Sequence, residues 1–135
     1  MRRRAGVVAA LAASALTAGC GGTAGDLLSI EVDGGPTGAR HTLVVSGDGR
    51  GSCDRRSLKP LPSQRVIDAR ELEGDVGDLA KRAAAYPSRP GATRYVLHTD
   101  KGVVRWSDGT PGLPSELPRA QLLALQLRRE LCPGG

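Results

Sequence analysis

Alternation and helical stripes divide the chain into six elements. Leu28, Ile30 and Val32 alternate with Ser29, Glu31 and Asp33, the period of two that marks a strand with one buried face. Gly34-Gly35-Pro36-Thr37-Gly38 interrupts the pattern. Arg40 to Ser46 resumes it, with Leu43 and Val45 on one face and Thr42 and Val44 on the other. The two runs predict a hairpin. Gly47 to Gly51 reads as a mobile turn, because the glycines open no helix after a strand and lack spaced calcium ligands. Lys59-Pro60-Leu61-Pro62 reads as extended and irregular. Ser63 has the chemistry of an N-cap. Val66, Ala69, Leu72, Val76, Leu79 and Ala83 then recur at steps of three and four, one helical stripe that ends before Pro87. Gly74 and Gly77 inside it predict close packing on a sheet, or a kink.

Thr93 to Thr99 and Val103 to Ser107 read as a second hairpin across Asp100-Lys101-Gly102. With Lys101 and Gly102 as the turn residues, Thr99 faces Val104 and Leu97 faces Trp106. A three-residue loop slips that pairing. Tyr95, Leu97, Val104 and Trp106 share one face. Ser115 can cap a last helix whose stripe is Leu117, Ala120, Leu123, Ala124, Leu127 and Leu131. Leu122 and Leu125 broaden that stripe, so this helix is expected among the most buried elements. The order is β-β-α-β-β-α. It predicts an α+β fold: a four-stranded, largely antiparallel sheet with two helices packed on one face.

The start of the chain obeys different rules. Arg2, Arg3 and Arg4 precede the uncharged run Ala5 to Ala18, and Leu16-Thr17-Ala18-Gly19-Cys20 follows. Such a run is shorter than the roughly 20 residues that a membrane-spanning helix needs. The segment resembles the signal peptide and lipobox of bacterial lipoproteins, with Ala18 and Gly19 before the acceptor Cys20. Thr17 departs from the aliphatic residue usual three places before the cysteine. The resemblance implies acylation of Cys20 and anchoring by two hydrophobic chains. An uncleaved anchor, or a signal cut after Ala18 or Gly19, fits the same residues. The expected organisation is a signal peptide over 1–19, a lipidated flexible tether over 20–26 and a single small domain over 27–135.

Composition alters the picture in two places. Three of the nineteen basic residues lie in the leader, which holds no acid, so the net charge of +5 falls to +2 once the leader is removed. That balance leaves no electrostatic footprint for nucleic acid. With no Phe, one Trp and two Tyr, the core must be mostly Leu, Val, Ile and Ala. Of three cysteines, Cys20 is assigned to lipid. Cys53 and Cys132 remain as an even pair in an exported chain, which favours a disulfide over two unpaired buried thiols.

Candidate chemistry is sparse. His41 and His98 each sit in a predicted strand with no ligand or catalytic cluster at useful spacing. Glu71 and Asp75 read as a solvated helix face. Ser46, Ser52 and Ser107 have no nucleophile elbow. Arg50, Arg55, Arg56 and Lys59 form a basic loop beside Cys53 that could meet anionic headgroups, though a solvated loop is the simpler reading. Trp106 is better placed in the core than in a binding site. No catalytic residue, cofactor or metal ligand is therefore assigned.

Most of the domain is similar to small emfourin-type inhibitors of thermolysin-like metalloproteases. The likeness rests on a strand, the Gly34, Gly35 and Gly38 turn, a second strand and a helix. The segment Tyr95 to Gly109 and a Leu-rich close complete it. It implies protease inhibition, but no inhibitory residue can be carried over. The cysteine pair and the anchor depart from that family. The chain also looks like small actinobacterial lipoproteins without assigned activity. Two functions are expected from these features. One is a lipid-anchored monomer on the extracytoplasmic face that binds an envelope or extracellular protein without catalysis. The other is a carrier of a small ligand or lipid, whose mark would be an apolar cavity under the helices.

Overall fold

The computed structural model describes residues 25–134. Cys20, the leader and most of the tether lie outside the described residues. The elements are β1 (Asp26–Gly34), β2 (Arg40–Ser46), β3 (Arg50–Cys53), β4 (Lys59–Pro60), α1 (Ser63–Asp75), α2 (Gly77–Lys81), β5 (Thr93–Thr99), β6 (Gly102–Ser107) and α3 (Glu116–Leu131). The fold is α+β, and every strand pair in the sheet is antiparallel. The sheet has six strands in the order β4-β3-β2-β1-β5-β6, where four were expected, and three helices where two were expected.

The additions have local causes. Arg-Gly-Ser-Cys carries no apolar alternation, yet it pairs with β2 through Leu43↔Cys53, Val44↔Ser52 and Val45↔Gly51. Gly51 is required there. A Cβ would stand 2.9 Å from both the Val44 carbonyl oxygen and Leu131 Cδ1, so only glycine lets the strand pass beneath the end of α3. β4 is two residues long and contains Pro60, which lacks an N–H and is tolerated at a sheet edge. The single helix expected from Ser63 breaks at Val76, where ψ is 0° and buried Gly77 follows. A Cβ on Gly77 would press on the Lys101 side chain. Ala83 then turns into the left-handed region at φ 49° and is exposed, so Ala80 takes its place in the core.

Two expected caps differ in detail. Ser63 is the first helical residue after Pro62, and Ser115 occupies the N-cap of α3 without a side-chain cap bond.

The core lies between the helices and one face of the sheet. Leu28, Ile30, Leu43, Val45, Leu97, Val104 and Trp106 meet Ala69, Leu72, Val76, Leu79 and the six predicted stripe residues of α3. All six are buried. Leu122 and Leu125 do not broaden the stripe; they are 56% and 45% exposed. At about 100° per residue both fall far from the stripe's centre.

The β5–β6 register also differs from expectation. Thr99 pairs with Gly102, Leu97 with Val104 and Tyr95 with Trp106, so Asp100 and Lys101 form the turn. The slip is two residues, which preserves the shared face. Gly102 begins β6 at φ +147°, and a Cβ there would collide with the Ala80 carbonyl. The glycine serves the approach of α2, not the turn.

Candidate functional site

Three surfaces carry the chemistry. The first is a groove of about 220 Å³ between the β1–β2 turn and α3. Pro36, Thr37 and Ala39 form one wall, and Gln121, Ala124, Leu125 and Arg128 form the other. Val32, Thr93 and Tyr95 line it between them. The turn is held by the Gly38 N–H donating to the Gly35 carbonyl at 3.1 Å, with Gly34, Gly35 and Gly38 all at positive φ. Leu125 is the exposed leucine of this groove, and Arg128 forms no salt bridge among the described residues.

The second is the sheet face opposite the helices. Register places Glu31, Thr42, Val96 and Arg105 in one row across it. Asp33 takes two guanidinium groups, Arg40 at 3.0 Å and Arg94 at 2.9 Å. The Arg40 hydrogen bond is the largest cause that holds the Asp33 carboxyl below its ordinary value, and the charges of Arg40 and Arg94 add to it. His98 Nε2 and Glu31 Oε2 lie 3.0 Å apart on the same face. These pairs are largely exposed and add little to stability.

The third surrounds the covalent bond. Cys53 and Cys132 are joined, with Cα atoms 5.2 Å apart and 79 residues between them in sequence. The bond fixes the end of α3 to β3. His41 projects from β2 on the same side as Leu43, and its Nδ1 lies 3.8 Å from Cys53 Sγ and 3.0 Å from Asp54 Oδ2. The other oxygen, Asp54 Oδ1, accepts the Thr42 backbone N–H at 2.8 Å. That bond is the largest cause of a lowered Asp54 pKa; burial opposes it, and His41 lowers it further. Asp54 and Arg55 are consecutive non-glycine residues at φ 54° and 57°. That left-handed pair turns the chain back on itself and aims the carboxylate at β2.

The sequence-assigned pair Cys53 and Cys132 is thus brought together, while the lipid acceptor Cys20 lies outside the described residues. His41 and His98 fall on opposite faces of the sheet, by the registers Val32↔His41 and Ser29↔His98. Trp106 is in the core, stacked on Tyr95 at 5.3 Å between ring centroids. Glu71 and Asp75 are not merely solvated: both lie within ion-pair distance of Arg119 on α3, at 4.0 and 2.7 Å. Of the basic loop, Arg50 pairs with Asp48, and Arg55, Arg56 and Lys59 are exposed. The grouping of His41 with Asp54 and the two sulfurs escaped sequence reading, because it depends on the unrecognised strand β3. A His two positions from a core leucine, followed by a Cys-Asp pair, was the only signal available. No known family model matches the chain, and no curated protein or solved structure is significantly similar to it.

Proposed function

We propose that this chain is a lipid-anchored envelope lipoprotein, tethered through Cys20 on the extracytoplasmic face. Its domain acts as a monomeric, non-catalytic interaction module for a protein partner. The observation that carries this reading is Leu125, a large exposed leucine beside Val32, Pro36 and Tyr95 in the groove of the glycine turn. Apolar side chains gathered in a surface groove are a mark of binding surfaces. Arg128 at the same groove favours a partner that offers an apolar side chain next to a carboxylate. Inhibition of an extracellular metalloprotease is one form of this activity. It is supported by the glycine turn and the order of the first hairpin, helix and second hairpin, and weakened by the added strands and disulfide.

The carrier reading has less support. The space under the helices is filled by Leu28, Ile30, Leu43, Leu72, Leu97, Leu117 and Leu127, all nearly inaccessible.

A photo-crosslinker placed at exposed Thr37, on the other wall of the groove, tests the module in cells. One envelope protein should be captured by the parent chain, and capture should fall sharply with Leu125→Asp or Arg128→Glu. An unchanged capture pattern in both variants overturns the groove. Cys20→Ser should release the chain from the membrane fraction or leave its precursor unprocessed. Failure of a fatty-acid analogue to label the parent chain through Cys20 overturns the anchor.

A further inference from the structure

We propose that reduction of the Cys53–Cys132 disulfide opens a four-ligand zinc(II) site built from both thiolates, His41 Nδ1 and Asp54 Oδ2. The inference is independent of the groove and of the anchor.

Geometry carries it. Tetrahedral zinc, with bonds of about 2.3 Å to sulfur and about 2.0–2.1 Å to nitrogen or oxygen, sets ligand atoms about 3.3–3.8 Å apart. Cys53 Sγ already lies 3.8 Å from His41 Nδ1 and 3.6 Å from Asp54 Oδ2. His41 Nδ1 and Asp54 Oδ2, at 3.0 Å, need to part only slightly. The ligand atoms of His41, Cys53 and Cys132 all fall within 4.8 Å of one another. Two movements complete the tetrahedron: the sulfurs must separate from a covalent bond to about 3.8 Å, and Cys132 Sγ and Asp54 Oδ2, which lie more than 4.8 Å apart, must close on each other; rotation of the Cys132 side chain, with Cα atoms 5.2 Å apart, serves both. The carboxylate is held independently: the Thr42 N–H occupies Oδ1 and leaves Oδ2 directed at the cluster. A fixed outer contact of this kind orients metal ligands. Two thiolates, an imidazole and one carboxylate suit zinc better than the all-oxygen cations.

The opening step balances as thiol–disulfide exchange with a dithiol reductant. A reductant thiolate attacks Cys132 Sγ, on the more accessible of the two cysteines at 7% exposure against 2% for Cys53. The S–S bond breaks and its electron pair leaves on Cys53 Sγ, beside His41. The second reductant thiol resolves the mixed disulfide. The reductant is oxidised to its disulfide, and the chain gains two thiols, whose protons are released when zinc binds.

The test uses the exported chain with Cys20→Ser, oxidised and anaerobically reduced, titrated with zinc against a chromophoric chelator. Cobalt(II) serves as the spectroscopic substitute. The reduced chain should bind one zinc and show thiolate-to-cobalt charge transfer with tetrahedral visible bands; the oxidised chain should show neither. His41→Ala and Asp54→Asn each remove a direct ligand and should weaken binding at least as much as the about 10–100-fold that loss of an outer contact costs. Equal binding by the oxidised chain, or affinity unchanged in both variants, overturns the site. If reduction unfolds the chain, circular dichroism decides. Zinc that restores the fold only when His41 is present supports the site, and zinc that restores nothing overturns it.

Discussion

The two ends of α3 are fastened to opposite sides of the sheet, the edge strand β6 and the penultimate strand β3, by different chemistry. Toward its N-terminus, Gln121 accepts the Trp106 indole N–H from β6 at 3.0 Å and donates to Asp108 at 3.2 Å. Trp106 is stacked on Tyr95 and wholly within the core. At the other end, Cys132 is bonded to Cys53 of β3. The edge that holds the chain's one Trp is fixed by packing and hydrogen bonding. The strand made of Arg-Gly-Ser-Cys on the other side has no bulky apolar side chain to bury, and there a covalent bond takes over. A core without Phe cannot anchor both ends of its main helix by aromatic packing. The two fastenings also act on different states: packing stabilises the folded chain, whereas a crosslink mainly restricts the unfolded one.

The largest change should follow from Trp106→Ala. Removing a buried Trp costs about 3–5 kcal/mol. Urea unfolding should show that loss, and hydrogen exchange should show protection falling first around Gln121 while the last turn of α3 stays protected. Cys132→Ala should cost about 2–5 kcal/mol and invert the pattern, with protection lost from the last turn and kept at Gln121. Identical exchange profiles in the two variants would mean that α3 is released as one unit, and the distinction between its ends would fail.

How much of this was legible before the structure depends on whether a feature is local. The α3 stripe repeats within one helix, and Leu117 to Leu131 could be read from spacing alone. Leu122 and Leu125 were misplaced because their side chains are apolar although their angle is wrong. β1, β2 and β5 carry clean alternation and were found at nearly their observed bounds. β3 was missed because a four-residue strand of polar and small residues, lying between β2 and the two-residue edge strand β4, obtains its place from its neighbours. The consequence reaches the chemistry. His41 and Asp54 are thirteen residues apart and meet only when β3 pairs with β2. The disulfide was legible from cysteine parity and the expectation of export, without any geometry. The groove was not, because Pro36 and Leu125 come from opposite ends of the chain.

The smallest effect expected is acid weakening centred on the disulfide side, with a further contribution from Asp33 on β1, whose carboxyl Arg40 and Arg94 also hold below its ordinary value. Asp48 lies in the β2–β3 turn, where the Arg50 guanidinium and the Ser46 hydroxyl hold its pKa down to about 2. Asp54, just beyond β3, is lowered chiefly by the Thr42 N–H. A carboxyl whose folded pKa is depressed stabilises the fold in its charged form. Its contribution is complete above the ordinary value of 3.8 and is lost as pH falls through the folded value. The urea midpoint should therefore decline between about pH 4 and about pH 2. Asp48→Asn with Asp54→Asn should flatten that decline by lowering the midpoint at neutral pH. The disulfide does not titrate, so the end of α3 should remain tied while the β2–β3 turn loosens around it. Backbone amides of the turn, followed by NMR across this range, should exchange faster before those near Trp106 change. Earlier loss near Trp106 would place the acid-sensitive contacts at the wrong end of the helix.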